Sequence, residues 1–473
     1  MLEFLPPLMF IALILFLLKG YPIAFSLAAT GLLFSAIGIY IGQTDFALLG
    51  ALSDRFFGII SNDTLLAIPF FTLMGLVLER TGMAEDLLNT MGQLFGKMRG
   101  GLAYSVVFVG TMLAATTGIV SASVIAMGLI SLPIMLRYGY DKKMASGVIA
   151  ASGTLAQIVP PSLVLIVLGD QLGVSIGSMY KAALIPSALL IGGYLLFIFI
   201  LTIVKPLSMP AIPEAERTLH GMALAKKVVT SVIPPVTLIF LVLGTVFLGM
   251  ATPTEAGAIG AVGAMLLALF KKSLTKTLLY QALDQSVKIT TFVVFIMIGS
   301  MFFSLAFTSL NGGIWIESIL GDLPGGVIGF IIAVNILIFF VAFFLDFFEI
   351  TLILVPLLLP IATSLGIDLT WFGIILAMNM QTSFMHPPFG FSLFYLKSVA
   401  PKEVKTKDIY YGAIPFLMLQ IVMVALLIAF PNIIHTEKTE KFEGSGADIE
   451  FSLDTGSDGF DSFDEFDEFE VEF

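Results

Sequence analysis

Ala150-Ala151-Ser152-Gly153-Thr154-Leu155-Ala156-Gln157-Ile158-Val159-Pro160-Pro161-Ser162 and, 227 positions later, Ala377-Met378-Asn379-Met380-Gln381-Thr382-Ser383-Phe384-Met385-His386-Pro387-Pro388 are the two stretches that decide the fold. Each starts as an apolar helix and runs into adjacent prolines. Two prolines remove two backbone donors and turn the residues before them away from helical geometry. A lone Pro-Pro is ordinarily a kink, but its return at the equivalent place in a second segment makes the break part of the architecture. Carbonyls upstream lose their partners there, and with Ser, Thr and Asn oxygens they form a hard-oxygen cage of the kind that holds Na⁺ in broken-helix transporters. Beyond the break, a helix N-terminus offers N–H groups and positive dipole to an anion. One break can therefore serve a cation and a carboxylate together.

The surrounding composition says where such a break sits. Of 473 residues, 58% are hydrophobic and 12% charged, with mean hydropathy +1.02. Soluble chains run at about 45–50% and about 25%, so the solvent is lipid and a soluble enzyme is excluded. The chain has no Cys and three His (His220, His386, His435), and no HExxH motif, which leaves no metal or nucleophile cluster for an intramembrane hydrolase. Residues 437–473 hold 14 acids and two bases, leaving 20 acids and 21 bases elsewhere. The membrane body is neutral, and nothing supports nucleic-acid binding. The Met1-Leu2-Glu3-Phe4 start lacks the basic region of a cleaved signal peptide, so the first apolar stretch reads as a retained span.

Apolar segments of spanning length run near 5–19, 22–42, 64–82, 143–168, 179–204, 228–249, 255–270, 290–310, 371–394 and 411–430. Two further stretches have the wrong length, 102–136 and 327–363. As single helices they would extend about 50–55 Å, too long for a core of about 30 Å, and as two full spans with a turn each is too short. Half-length arms meeting at mid-membrane fit, as re-entrant hairpins; tightly turned full hairpins are the alternative. Their midpoints are polar: Thr116-Thr117-Gly118 and Ser121-Ala122-Ser123 in the first, Asp346 and Glu349 in the second. Irregular backbone at that depth persists only where protein buries it or a wet cavity adjoins it. Stretches 46–60 and 272–289 read as interfacial arms.

With the hairpins taken as non-crossing, 19 Lys and Arg fall in cytoplasmic loops. Only Arg55, Lys181, Lys438 and Lys441 fall outside, and both termini face the periplasm. The halves also resemble each other. Leu132-Pro133-Ile134, Gly139, Asp141 and Pro160-Pro161 recur as Leu359-Pro360-Ile361, Gly366, Asp368 and Pro387-Pro388, all at an offset of 227. An odd number of crossings, five, separates the starts of the two repeats, so they insert in opposite directions. Inverted repeats with paired broken helices mark secondary transporters. The chain divides into a first repeat (1–204), a cytoplasmic connector (205–227), a second repeat (228–430) and an acidic, Phe-rich tail (431–473) whose charge density predicts disorder. The tail is either a solvated end or a tether for a partner on the outer face.

Single residues admit bland readings beside sharp ones. Asp346 at depth marks an ion path or lines an outward vestibule. Glu349 faces either the site or the hairpin mouth. His386 is a proton carrier or a packing histidine bonded to a carbonyl. Thr116, Thr117, Ser121 and Ser123 either ligate or bond back to their own turns.

Asn62-Asp63-Thr64-Leu65-Leu66-Ala67-Ile68-Pro69-Phe70-Phe71-Thr72-Leu73-Met74-Gly75, Ala151-Ser152-Gly153-Thr154 leading to Pro160-Pro161-Ser162, Ala251-Thr252-Pro253-Thr254-Glu255-Ala256-Gly257-Ala258, and Leu345-Asp346 leading to Leu359-Pro360-Ile361 resemble the large membrane subunit of tripartite ATP-independent periplasmic (TRAP) transporters over roughly residues 1–430. The resemblance implies an all-α polytopic membrane protein of the bacterial inner membrane, built like the divalent-anion/sodium symporters and working as an elevator. It implies Na⁺-driven import of an organic acid, a small four-helix membrane subunit and a periplasmic substrate-binding protein. One sodium site would use Ser121, Ser123, Ser152, Gly153, Thr154 and Ile158. The other would use Asp346, Asn379, Thr382 and Met385. The carboxylate would lie by Thr116, Thr117, Pro161, Ser162, Ser383 and Pro388. Two features depart from the family: Asp346-Phe347-Phe348-Glu349, where small hydroxylated residues more often follow the Asp, and the acidic tail. An autonomous ion-coupled carrier needing no binding protein is the rival within transport.

Overall fold

The computed structural model describes residues 4–321, 323–343 and 345–434. Among them are nineteen α-helices and no strand. The first half runs α1 (Leu5–Leu18), α2 (Ile23–Tyr40), α3 (Ala51–Ile60), α4 (Ala67–Arg80), α5 (Met83–Phe95), α6 (Gly101–Thr117), α7 (Val120–Arg137), α8 (Lys142–Thr154), α9 (Leu163–Leu172) and α10 (Ile176–Val204). The second runs α11 (Gly221–Phe247), α12 (Pro253–Phe270), α13 (Lys276–Ser309), α14 (Gly312–Leu320), α15 (Gly326–Val341), α16 (Phe347–Ser364), α17 (Leu369–Ser383), α18 (Phe391–Val399) and α19 (Thr406–Ala429). With α3 and α4 taken as the counterpart of α13, the halves match element for element.

They also exchange partners. α2 packs along α13 and α12 along α4, while α9 packs on α16 and α18 on α7. Crosswise pairing of equivalent elements is what inverted repeats related by a two-fold axis produce. The broken helices lie at the centre. Every residue from Ala145 to Thr154 in α8 and from Trp371 to Ser383 in α17 is buried. Apolar side chains such as Leu196, Phe199 and Ile203 on α10 stay on the outside, as a lipid-facing surface requires. Eight described helices are long and apolar enough to span a membrane, or nine if the bent pair Phe46–Ile60 and Asp63–Arg80 counts as one span.

Each hairpin turns for a local reason. Gly118, at φ +60°, closes α6, and Ile119 is extended before α7 begins. In the second hairpin Asp346 caps α16, accepting from the Glu349 N–H at 3.0 Å while the Glu349 carboxylate accepts from the Asp346 N–H at 2.9 Å. This reciprocal box satisfies two orphan donors of the new helix. The arms have 17, 18, 16 and 18 residues, or about 24–27 Å, longer than the half-length expected. The tips nevertheless stop level with the breaks. α7 ends and α8 begins at one base, Arg137–Lys142, and a Cβ on Gly153 would lie 2.3 Å from Val124, near the start of α7. At the same offset of 227 in the other half, the Thr351 hydroxyl reaches the Met380 sulfur at 3.6 Å.

Three further sequence expectations need correction. The arm expected at 272–289 is not separate: α13 is one helix of 34 residues, about 51 Å long, because no Pro, Gly or Asn interrupts 276–298. Its counterpart does bend, by 44°, where Asn62 accepts from the Thr64 N–H at 2.9 Å and starts a new turn. The connector ends at His220, since α11 already includes Lys226 and Lys227. Residues 431–434, assigned to the tail, form a tight turn with Ile434 buried; the rest of the tail lies outside the described residues. Sequence reading also missed the short helices α5 and α14 that precede each hairpin.

Candidate functional site

The Asp141 side chain starts α8 by accepting from the N–H groups of Lys143 (2.9 Å) and Met144 (3.1 Å). The helix runs to Thr154, tightens over Leu155–Gln157 and gives way at Pro160-Pro161. Ser162 restarts it. Its hydroxyl donates back to the Gln157 carbonyl at 2.6 Å and accepts from the Val164 N–H at 3.2 Å, bridging the break. In the second half α17 runs to Ser383 and α18 restarts at Phe391. Ser392 donates to the Phe384 carbonyl, and its hydroxyl also reaches the Met385 sulfur at 3.5 Å. Both Pro-Pro bonds are cis.

Around the first break, Ser123, Ser152, Thr154, Thr116 and Thr117 are all buried. Ser152 donates to the Val148 carbonyl (2.7 Å), leaving its lone pairs free of protein donors among the described residues. The Thr117 and Ser123 hydroxyls meet across the tip at 3.0 Å. Thr116 and Thr117 also bond back to the Leu113 carbonyl at 3.1 and 2.8 Å. Ser121 is half-buried and makes no side-chain hydrogen bond among the described residues. The Ile158 carbonyl accepts from Ser187 at 3.0 Å, which occupies one of its two lone pairs. Thr154 is committed elsewhere. It donates to the Ala151 carbonyl at 2.8 Å and accepts from Gln381 at 3.2 Å and Gln420 at 3.3 Å. A hydroxyl has one proton and two lone pairs, so any ion ligand at Thr154 is its carbonyl.

Around the second break, Asn379 donates to the Asn335 carbonyl at 2.8 Å, and its own carbonyl accepts from Thr382 at 2.6 Å. Ser383 donates to the Met380 carbonyl. Pro388 is exposed, and its carbonyl accepts from the Tyr410 hydroxyl at 3.0 Å. Asp346 makes no hydrogen bond to Asn379, Thr382 or Met385; its carboxylate is engaged by the Glu349 N–H in the cap. Both carboxylates are half-buried, and neither is in an ion pair among the described residues. His386 is a packing residue in part: its ring stacks on Phe343 with centroids 4.0 Å apart, and Nε2 lies 3.3 Å from the Phe339 carbonyl. No cluster of three His, Asp or Glu occurs among the described residues. What the two breaks offer is hydroxyl, carbonyl and amide oxygen, suited to a hard monovalent cation rather than a transition metal.

Sequence reasoning missed the polar group behind the breaks. Gln420 donates to both Thr154 and the Tyr194 hydroxyl (2.9 Å), joining α8, α10, α17 and α19. Gln381 was findable, since it stands at the repeat offset from Thr154; Gln420 and Tyr194 carry no such signal.

Comparison with known proteins identifies the family. Residues 10–433 match the family model described as tripartite ATP-independent periplasmic transporter, DctM component. The C4-dicarboxylate TRAP transporter large permease protein DctM of Pseudomonas aeruginosa is 32% identical over 81% of this chain and 88% of its own. The sialic acid TRAP transporter large permease protein SiaM of Vibrio cholerae is 26% identical over 88% and 94%. The crystal structure of the YdaH transporter of Alcanivorax borkumensis shares the fold at a TM-score of 0.57 and 16% identity, covering 82% of this chain and 90% of that one. This chain is thus a multi-pass membrane protein belonging to the DctM-component family of tripartite ATP-independent periplasmic transporters.

Proposed function

We propose that this chain imports an organic acid across a bacterial inner membrane, driven by Na⁺ bound at the two breaks. A periplasmic binding protein delivers the acid, and a small four-helix membrane subunit completes the complex. The observation that carries the reading is the paired construction of the breaks: Val124 on Gly153 in one half and Thr351 on Met380 in the other, with hydroxyl-rich chain on either side. Relatives named for a C4-dicarboxylate and for sialic acid support a carboxylate passenger. Both termini are assigned to the periplasm from the distribution of Lys and Arg.

The energetics suit this scheme. Each tenfold Na⁺ gradient supplies about 1.4 kcal/mol per ion. Two Na⁺ with one dicarboxylate cross as a neutral unit, whereas a monocarboxylate leaves one net charge, worth about 2.3 kcal/mol per 100 mV. Voltage dependence of uptake therefore sorts the passenger class.

For movement, α6–α9 and α15–α18 form a block that slides against a scaffold of α1, α2, α11 and α12. α4 and α13 pack along α12 and α2 and go with the scaffold. The Ser300 hydroxyl of α13 donates to the Leu352 carbonyl of α16 across this seam. The chain lacks Cys, so Ser300→Cys with Leu352→Cys is a clean cross-linking pair. Oxidation is expected to stop Na⁺-driven uptake in proteoliposomes and reduction to restore it. Full uptake with the link complete would exclude sliding.

A further inference from the structure

A cavity of about 400 Å³ lies at the seam between scaffold and block, walled by α3 and α13 on one side and by α9 and α16 on the other. That is the size of a small-molecule site. Arg55 of α3 lines it, exposed and without an ion pair among the described residues. Asp170 of α9 is beside it but is already held. One of its carboxylate oxygens accepts from the Asn62 amide at 2.7 Å and the other from the Gln171 amide at 3.0 Å. A carboxamide nitrogen carries two hydrogens, so among the described residues Asn62 and Gln171 each keep one N–H unspent. Asn62 is also fixed in orientation, because its oxygen caps the Thr64 N–H. The cavity thus combines a guanidinium fork with two amide donors held in place, a set matched to a carboxylate.

We propose that this cavity is an outer carboxylate subsite, where Arg55 with the spare N–H groups of Asn62 and Gln171 holds the passenger before it reaches the breaks. The proposal rests on the reading that the passenger is a carboxylate. The subsite is built from both moving parts. The Asn62–Asp170 bond and the Ser300–Leu352 bond both cross it, so sliding of the block takes the donors apart and releases the anion.

The test uses the full chain in liposomes. Ser304 lines the cavity and makes no side-chain hydrogen bond among the described residues, and the protein has no other thiol once Ser304→Cys is made. Modification rates of that single thiol are measured with a sulfonate-bearing methanethiosulfonate and with its trimethylammonium counterpart, with and without succinate. Arg55→Gln is expected to lower the sulfonate-to-trimethylammonium rate ratio by roughly tenfold. It is also expected to raise the succinate concentration that half-protects the introduced thiol by about tenfold or more, with Arg55→Lys intermediate. Equal succinate protection with and without Arg55, or protection in neither, overturns the subsite. Wild-type uptake of a labelled carboxylate by the assembled complex is scored separately. If uptake persists while the Arg55 effect is absent, the subsite alone falls; if no carboxylate is carried, the function reading falls.

Discussion

Gln381 donates its side-chain amide to the Thr154 hydroxyl at 3.2 Å, and the two residues are 227 positions apart, the same separation as Pro160 from Pro387. Equivalent residues of inverted repeats touch only where the axis relating them passes. This bond therefore marks the centre of the molecule, with one break on each side.

The bond should be a stability element. Thr154→Val leaves the buried Gln381 amide without its acceptor and the Gln420 amide with Tyr194 alone, at a cost of about 1–3 kcal/mol. Gln381→Leu removes a donor and should cost about 1 kcal/mol. Thermal unfolding of the two single variants and the double should give a coupling term, the double losing less than the two losses added.

Gly75 of α4 supports the first hairpin tip so closely that a Cβ there would be 2.4 Å from the Thr117 Cα. Gly75→Ala is expected to cost about 1–3 kcal/mol through overpacking and to slow uptake by displacing the tip. Gly192→Ala, where nothing lies within 4 Å of the added carbon, should be neutral or slightly stabilising. Parallel unfolding and uptake assays on the two variants check the contrast.

Asp346 has a structural and a proposed ionic role that substitution can separate. Asp346→Ala removes the cap of α16 and should lose about 0.5–2 kcal/mol. Asp346→Asn keeps a capping oxygen but loses the charge. Its melting temperature in choline chloride should stay near that of the wild type, while the rise on adding NaCl should shrink. An undiminished sodium response in Asp346→Asn would remove this carboxylate from the ion site.

Asp86 on α5 bonds Lys271 at 2.8 Å and Lys227 at 3.5 Å. Desolvation alone would raise its pKa, but the Lys271 hydrogen bond and the two lysine charges outweigh it and hold the carboxyl below its ordinary value. A lowered folded pKa contributes stability above the unfolded value, lost as pH falls through the folded one. Asp86→Asn should thus be destabilising at neutral pH and indistinguishable from wild type in strong acid. Because Asp86 is 44% exposed, the difference should stay below about 1 kcal/mol. Unfolding followed from pH 7 downward tests it.

The broken helices, the hairpins and the two-fold plan were legible because each has a covalent signature: paired prolines, apolar runs of the wrong length, and motifs at one offset. Gly118 and the Asp346/Glu349 spacing even announce the turns. The partners of individual hydroxyls were not legible. Whether Thr154 faces an ion or Gln420 depends on how α8 rotates against α19, and that is set by packing distant in sequence. The unbroken α13 was missed for a related reason: its charged lower turns resemble an interfacial arm in composition, although nothing in them stops a helix.

In the proposed cycle, sodium at the paired breaks drives entry of a carboxylate. The most direct measurement is uptake of a labelled carboxylate by the chain reconstituted with its small subunit and binding protein, under an inward sodium gradient and then with choline replacing sodium. Accumulation is predicted in the first case and none in the second. Equal accumulation in choline would contradict sodium coupling at the breaks.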